Sequence, residues 1–137
     1  MSGGGELSRR RASSGSPLEP VIGFSRAARI GDVIAVSGTA PIGSDGETLC
    51  PGDVEGQTRA CFEIAKNALA ELGADLRNVI RTRIMLTDAT RWKEAAKAHG
   101  DCFADIQPAC TFVEVKGFIN SEWLVEIELD AIVESQP

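Results

Sequence analysis

The sequence predicts an α+β protein: a single-layer, mostly antiparallel or mixed sheet with two helices on one face. Two long stretches carry apolar residues at helical spacing, and five short stretches have the alternation or the β-branched content of strands. Their order along the chain is ββαβαββ, which suits helices packed on one side of a sheet. With 137 residues and 43% hydrophobic composition, the chain can form one domain with a sizeable core, assigned here to residues 17–137.

Residues 1–16 are rich in glycine, serine and arginine and offer almost nothing to bury, so we expect a disordered N-terminal tail. Arg10, Arg11 and Ser13 fit a kinase site directed by basic residues, and the Arg/Ser bias is also found in transit peptides. A solvated leader or a cloning remnant is the simplest interpretation. Deleting the tail is therefore expected to leave stability unchanged.

The first two strands, residues 25–30 and 33–37, form a hairpin around Gly31 and Asp32. After a loop rich in glycine and proline, Asp53 is a good N-cap for the first long helix, and Gly73 is expected to end it in the left-handed conformation. The predicted apolar stripe of this helix consists of Val54, Cys61, Ile64, Ala65, Ala68, Leu69 and Leu72.

The next strand, residues 79–87, alternates between two faces. Its helix-facing set should be Ile80, Thr82, Ile84 and Leu86, and its opposite set Arg81, Arg83 and Met85. The second helix begins near Thr90 and should bury Trp92, Ala95, Ala96, His99 and Phe103.

Two strands, residues 109–115 and 123–133, complete the sheet. In the last strand the apolar alternation should send Glu126, Glu128 and Asp130 away from the helices. In the run PACTFVEV it should send Cys110, Phe112 and Glu114 to that same side, where arginines of the preceding strand also lie. This mixture predicts partial burial by another subunit, with Arg–Glu pairs across strands; the alternative is a surface that faces water.

The composition excludes several kinds of partner. The net charge is −6, from 14 basic and 20 acidic residues, which argues against a protein that binds a nucleic-acid backbone. No apolar run approaches a membrane span. Four cysteines without a signal peptide suggest reduced thiols in the cytoplasm. His99, Cys102 and Cys110 are the nearest approach to zinc spacing, but neither a metal nor another cofactor is expected.

Several stretches together resemble the YjgF/RidA (Rid) family, formerly described as L-PSP endoribonucleases and translation inhibitors. GFSRAARIGDVIAVSGTAP resembles G-P-Y-S-Q-A…G…V-x-V-S-G-Q-x-P, and residues 53–58 match a D-V-x-x-Q-T helix start. The run RTRIMLTD matches V-x-V-x-x-x-D loosely, whereas PACTFVEV…LVEIEL matches P-A-R-S-x-V-E-V…x-x-E-I-E-A strongly. The likeness covers about residues 19–134.

The resemblance implies a chorismate-mutase-like subunit assembled as a homotrimer, with a ligand cleft at each subunit interface. Family enzymes hydrolyse reactive 2-imino or enamine acids to 2-keto acids and ammonia. An arginine in PARS holds the substrate carboxylate with two donors, and the first glutamate of the E-I-E strand lies near the attacking water. Glu126 matches that glutamate.

Cys110 stands where PARS has its arginine. A thiol cannot replace a planar, permanently charged guanidinium. Losing a charge-assisted contact worth about 1.5–3 kcal/mol predicts roughly 10- to 150-fold weaker carboxylate recognition. Phe24 lacks the hydroxyl of the aromatic residue in G-P-Y, and Ala96 aligns with an asparagine of the family's second helix.

The sequence is similar to an arginine-lacking subgroup with S-R-A in the first strand and A-H-G near the end of the second helix. Arg26 could supply an anion contact or pair with an acid. His99 could act as a base near neutral pH or pack beside Trp92 and Phe103. Cys110 as a nucleophile would need a nearby base or cation, whereas neighbouring acids would raise its pKa.

The candidate catalytic residues are therefore Glu126, Cys110 and His99, and the candidate substrate-binding residues are Phe24, Arg26, Gly38, Cys110 and Phe112. Three functions fit them: a Rid-type hydrolase acting on an imine or enamine through a rearranged site, a non-catalytic trimer that binds a metabolite or partner, and the older ribonuclease or translation inhibitor. The acidic composition and the lack of a basic, aromatic stripe disfavour the third.

Overall fold

A computed structural model describes residues 8–134, and its architecture is the predicted α+β one. The elements in chain order are β1 (Arg9–Ala12), α1 (Leu18–Ile22), β2 (Ala27–Ile30), β3 (Val33–Thr39), α2 (Val54–Glu71), β4 (Val79–Leu86), α3 (Trp92–Phe103), β5 (Ala109–Glu114) and β6 (Val125–Ile132). Six strands form one mixed sheet in the order β1-β2-β3-β6-β4-β5. Strands β4 and β5 run parallel, and the other neighbouring pairs are antiparallel.

The core lies between the sheet and its helices. Helix α2 packs on β3 and β6, and α3 packs beside α2. The predicted inward set of β6 is confirmed, since Val125, Ile127, Leu129 and Ala131 are all buried. Within residues 8–134, no helix has both the length and the apolar composition needed to cross a bilayer.

Both predicted ends of α2 are confirmed. The Asp53 side chain accepts a hydrogen bond of 2.9 Å from the Gly56 backbone N–H, and Gly73 has a φ of 80° just beyond the helix. The predicted stripe missed Gln57, which is fully buried because its amide bonds the backbone oxygen of Glu122 and the N–H of Leu124. It also missed the buried residues Thr58 and Phe62.

The prediction of a disordered tail over residues 1–16 is wrong for the part that the structure describes; residues 1–7 lie outside it. Strand β1 pairs with β2, and Ala12 is 1% exposed. The Arg26 N–H also bonds the Ala12 carbonyl oxygen at 2.9 Å. Backbone pairing with an edge strand does not need apolar side chains, so a segment rich in arginine and serine can still join a sheet.

Strand β4 carries a bulge that alters its predicted faces. The register with β6 shifts between Val79 and Arg81, so Val79 is buried and Ile80 is 50% exposed. Ile80 was predicted to face the helices. The extra residue reverses the alternation at the start of the strand, and Thr82, Ile84 and Leu86 then face inward as predicted.

The predicted faces of β5 are inverted. Its parallel register pairs Thr82 with Cys110 and Ile84 with Phe112, and paired residues share a face. Cys110, Phe112 and Glu114 therefore lie on the helix side, where Phe112 packs against the core. Strand β5 is at the edge of the sheet, and five of its six residues are exposed. The alternation of apolar residues along it therefore does not indicate which side chains face the helices.

Helix α3 buries a narrower stripe than predicted. Ala95, Ala98 and Phe103 are buried, whereas Ala96 is half-buried and Trp92 is 48% exposed. Small residues let α3 pack against α2, and the first turn, with its tryptophan, remains at the surface.

Candidate functional site

A cavity of about 450 Å³ opens beside the end of the sheet at which β3 separates from β6. Its walls come from the β1–α1 segment, the C-terminal half of α2, the loop after β3 and the residues that precede β6. The polar part of its lining contains Arg26 and Glu126, and its apolar part contains Phe24, Ile64 and Trp123.

Arg26 is held rigidly at this cavity and is 7% exposed. Its Nη1 donates to the Gly38 carbonyl oxygen at 2.6 Å and to Thr39 Oγ1 at 3.2 Å, and its Nε donates to Ser14 Oγ at 3.3 Å. Its guanidinium carbon lies 5.3 Å from the centre of the Phe24 ring, a cation–π distance. Within residues 8–134, Nη2 makes no hydrogen bond and the guanidinium forms no ion pair, so its charge is not neutralised by direct contact.

Like Glu19, the Glu126 carboxyl interacts electrostatically with this guanidinium. Gly38 makes room for it, because a β-carbon on Gly38 would lie 3.0 Å from Glu126 Oε1. Burial raises the pKa of Glu126; Arg26 lowers it, Glu128 raises it further, and the net pKa lies above the ordinary value of 4.5. A carboxyl with a raised pKa in a cavity is suited to accept and return protons.

Glu19 fixes the wall formed by the β1–α1 segment. Its carboxylate accepts hydrogen bonds from Ser13 Oγ at 2.8 Å, from Ser14 Oγ at 2.8 Å and from the Ser14 N–H at 3.1 Å. Burial raises the pKa of Glu19, but these bonds outweigh it and the net pKa is lowered. Because Ser14 Oγ also accepts from Arg26, this wall is connected directly to the guanidinium.

The remaining predicted site residues lie outside this cavity in the single chain. Cys110 is exposed on β5 and lies on the opposite face of the sheet from Glu126. The two residues are two strands and three residues apart, so standard sheet spacings place their Cα atoms about 14 Å from each other. Phe112 shares its strand and its face. Cys110 and Phe112 therefore do not join Phe24, Arg26, Gly38 and Glu126 within one copy.

His99 is a packed residue of α3. Its Nε2 lies 2.8 Å from Thr82 Oγ1, and its ring contacts Phe62 and Phe103 at centroid distances of 5.7 and 4.7 Å. Burial lowers its pKa, so the neutral ring is favoured. In the described part of the chain, no three His, Cys, Asp or Glu side chains converge as they would around a metal ion.

Sequence reasoning did not assign Trp123 to the cavity. Its side chain lines the cavity, yet the residue is 8% exposed and its indole N–H is buried without an acceptor among residues 8–134. In the sequence it continues the alternation of the last strand, which is the signal of an ordinary core residue. The alternation of apolar residues does not indicate that the indole N–H of Trp123 lacks an acceptor among residues 8–134.

Comparisons with known proteins identify the family to which this chain is related. A family model described as Endoribonuclease L-PSP matches residues 15–133. The uncharacterized protein SCO2049 of Streptomyces coelicolor is 39% identical over 125 residues, 89% of this chain and 90% of its own length. The 3-aminoacrylate deaminase RutC of Acinetobacter baylyi is 28% identical over 111 residues, 81% of this chain and 85% of its own.

Solved structures are similar to this chain in fold, and one of them is described here. Rv2704 of Mycobacterium tuberculosis, described as a member of the highly conserved YjgF/YER057c/UK114 family, superposes with a TM-score of 0.83 at 42% identity. The match covers 92% of this chain and 100% of that one.

Proposed function

The chain belongs to the endoribonuclease L-PSP family, also called the YjgF or Rid family, and from that membership we propose that it hydrolyses a small imine or enamine to a carbonyl compound and ammonia. The proposed site is the cavity that contains Arg26 and Glu126. A relative named as a 3-aminoacrylate deaminase supports the reaction type. The reducing cytoplasm is the proposed compartment, which suits four free cysteines.

The observation that carries this proposal is the position of the Glu126 carboxyl in a cavity beside an arginine that has no ion-pair partner among residues 8–134. In the proposed reaction, water attacks the carbon of a protonated imine while Glu126 takes a proton from the water. The protonated carboxyl then donates to the nitrogen of the carbinolamine and takes the hydroxyl proton as the C–N bond breaks. The products are a carbonyl compound and ammonia, and the sum consumes one water.

Arg26 is the proposed replacement for the lost guanidinium of PARS. Its Nε and Nη1 are used by Ser14, Gly38 and Thr39, which fix the plane of the group and leave Nη2 as the donor for a ligand. One rigid donor with a full charge can hold a carboxylate oxygen, although it is not the two-pronged contact of the family arginine.

We propose a homotrimer as the functional form. The sheet face away from the helices carries the Arg83–Glu128 ion pair between neighbouring strands. Exposed apolar residues lie on the same face, Val33 of β3 beside Ile132 of β6 and Val113 on the edge strand β5. A partly apolar face with paired charges suits a subunit interface. In such an assembly the β5 edge of one copy would bring Cys110 to the cavity of the next.

Binding without catalysis is the second candidate. The observation that favours it is Cys110 itself, since the position where the family has its carboxylate-binding arginine holds a neutral, exposed thiol.

A turnover assay separates the two candidates. 2-Imino acids are generated in situ from a set of amino acids by an amino-acid oxidase, and ammonia release is followed against the spontaneous rate. We expect acceleration by the wild type and a loss of about 100-fold or more in Glu126→Gln, the effect of removing a general acid–base group. Glu63→Gln, an exposed change on α2, is the matched control. If the folded wild type accelerates the hydrolysis of none of these imines, the hydrolase proposal is wrong and binding without catalysis remains.

A further inference from the structure

Arg26 carries a buried charge that no carboxylate compensates by direct contact. The residue is 7% exposed, and burial lowers its pKa, because surroundings of low polarity disfavour the charged guanidinium. Glu19 raises that pKa, and does so more than Glu126. Neither acid forms an ion pair with Arg26 within residues 8–134. Glu19 therefore stabilises the charge of Arg26 without touching it.

Ser14 lies between these two charged groups. A guanidinium has only donors, so the 3.3 Å bond between Arg26 Nε and Ser14 Oγ uses the serine oxygen as its acceptor. The hydroxyl hydrogen of Ser14 goes to Glu19 Oε2 at 2.8 Å, and the Ser14 backbone N–H donates to the same oxygen at 3.1 Å. The hydrogen bonds therefore run in one direction, from Arg26 through Ser14 to Glu19.

The ionised state of Glu19 fixes that direction. Burial raises the pKa of Glu19, the bonds from Ser13 and Ser14 lower it, and the net pKa lies below the ordinary value of 4.5. An ionised carboxylate can only accept, so it holds the Ser14 hydrogen and leaves the serine lone pairs for Arg26. Hydrogen bonds to a charged group are stronger than bonds between neutral groups, which keeps the hydroxyl in this orientation.

The intervening serine leaves one side of Arg26 free. A carboxylate in direct contact with a guanidinium commonly takes two of its N–H donors and neutralises its charge. Here Glu19 acts on Nε through a hydroxyl, and Nη1 is held by the Gly38 carbonyl oxygen at 2.6 Å and by Thr39 Oγ1 at 3.2 Å. Among residues 8–134, nothing bonds Nη2, so this nitrogen can donate to an anion.

We propose that Ser14 is a positioning residue for anion binding at Arg26. Together with Glu19 it orients the guanidinium and balances its buried charge across one hydroxyl, so that Nη2 stays available to the carboxylate of a ligand. This role rests on the proposed function, in which Arg26 holds the substrate carboxylate. All the contacts that carry it lie within one chain, so it does not depend on a second copy.

A pair of substitutions at residue 14 isolates the hydroxyl. Threonine and valine have nearly the same shape, but only threonine can accept from Arg26 and donate to Glu19. Ser14→Val should weaken the binding of pyruvate, used as a carboxylate probe in calorimetry, by about five- to tenfold, the equivalent of one ordinary hydrogen bond. Ser14→Thr keeps the hydroxyl and should bind pyruvate as the wild type does.

Ser13 provides the matched control. Its hydroxyl donates to Glu19 Oε1 at 2.8 Å, the distance that also joins Ser14 Oγ to Oε2. Its bonds, as the structure describes them over residues 8–134, do not include Arg26. Ser13→Val should therefore lower the melting temperature about as much as Ser14→Val and leave the affinity for pyruvate unchanged. A merely structural contribution of this segment would change the affinity equally in both variants.

Turnover supplies a second measurement. For an imino acid that the wild type hydrolyses, Ser14→Val should raise KM by about five- to tenfold and leave kcat nearly unchanged. The reason is that the carboxylate of the ligand is held equally in the bound substrate and in the transition state, so a weaker grip lowers binding and not the chemical step.

The possible outcomes distinguish this proposal from the proposed function. Pyruvate affinity that falls equally in Ser13→Val and Ser14→Val, or equally in the threonine and valine variants at residue 14, would overturn the positioning role and leave the hydrolase intact. Binding that depends on the Ser14 hydroxyl, without turnover of any imine, would support the positioning role and overturn the hydrolase. A folded wild type that neither binds pyruvate nor hydrolyses an imine would overturn both.

Discussion

Gly38 lies directly against the Glu126 carboxyl, so that a β-carbon at residue 38 would stand 3.0 Å from Glu126 Oε1. The carbonyl oxygen of the same glycine accepts the shortest of the Arg26 hydrogen bonds, at 2.6 Å. One residue without a side chain therefore sets the positions of both charged groups of the candidate site.

Gly38→Ala should reduce turnover about tenfold or more while leaving the melting temperature nearly unchanged. The added methyl meets only a carboxylate that can rotate away, so the fold accommodates it, but the carboxylate leaves its position beside the bound imine. Gly117→Ala, where a β-carbon meets nothing within 4 Å, is the control. Equal loss of activity in both variants, or a large loss of stability in Gly38→Ala, would contradict this account.

The pH dependence of stability should follow from the raised pKa of Glu126. Burial, the largest cause, raises that pKa above 4.5, so folding favours the protonated carboxyl. Its contribution to the free energy of unfolding is present below about pH 4.5 and is lost as pH rises through the raised value. The stability of wild type relative to Glu126→Gln should therefore fall as pH rises above about 4.5 in urea titrations.

Glu19 should behave in the opposite way, which provides an internal comparison. Its hydrogen bonds to Ser13 and Ser14 lower its pKa below 4.5 against the effect of burial, so its contribution is present above about pH 4.5 and is lost as pH falls through the lowered value. The stability of wild type relative to Glu19→Gln should decline in acid. The same pH trend for both variants would show that these environments are not the cause.

Deleting residues 1–12 should destabilise the domain, contrary to the expectation from composition. The deletion removes the backbone pairing of β1 and the buried Ala12, and it exposes the edge of β2. A loss of about 1–3 kcal/mol would lower the melting temperature of a chain this long by roughly 3–10 °C. Ala12→Asp should reproduce most of it, whereas Arg9→Ala, an exposed residue of the same strand, should not. An unchanged melting temperature after the deletion would show that β1 contributes nothing.

The mass in solution should be three times 14.5 kDa at micromolar concentration, by sedimentation or light scattering. A stable monomer would remove the proposal that a second copy completes the cavity. Reversal of one charge, as in Arg83→Glu, should shift the equilibrium toward monomer, because two acids would then face each other across β4 and β6.

Cys110→Arg tests whether the lost guanidinium explains weak activity on short imino acids. If assembly brings residue 110 to the cavity of a neighbouring copy, the two guanidinium donors of the new arginine should raise kcat/KM for 2-iminopropionate or 2-aminoacrylate by about 10- to 150-fold. Adding Phe24→Tyr should increase the gain.

Cys110→Lys is the control, since it restores a charge without the planar pair of donors. Efficient turnover of these substrates by the wild type would contradict the argument from the lost arginine. Absence of any gain with the trimer intact would indicate a cavity rebuilt around Arg26.

The family resemblance and the α+β class were predictable because they depend on local patterns, and both are confirmed. The cap at Asp53, the stop at Gly73 and the inward set of β6 depend on neighbours in sequence, and they are as predicted. Phe24, Arg26, Gly38 and Glu126 line one cavity, and their roles as site residues stay a prediction.

Other features depended on pairing between distant strands. The faces of β5 are set by its parallel register with β4, and the exposure of Ile80 by a bulge, neither of which hydrophobic alternation encodes. Strand β1 is ordered because it pairs with the edge of β2, and not because of its own composition.

For this protein, the sequence by itself indicated the two long helices, the strands that accompany them and the chemical groups available. Only the tertiary structure decided that Arg26 is held by neutral acceptors rather than by an ion pair, that His99 is packed among phenylalanines, and that Cys110 is on the opposite face from Glu126. The physical reason is that local backbone preferences fix helices and strands, whereas the charge state and reach of a side chain depend on residues that folding brings beside it from elsewhere in the chain.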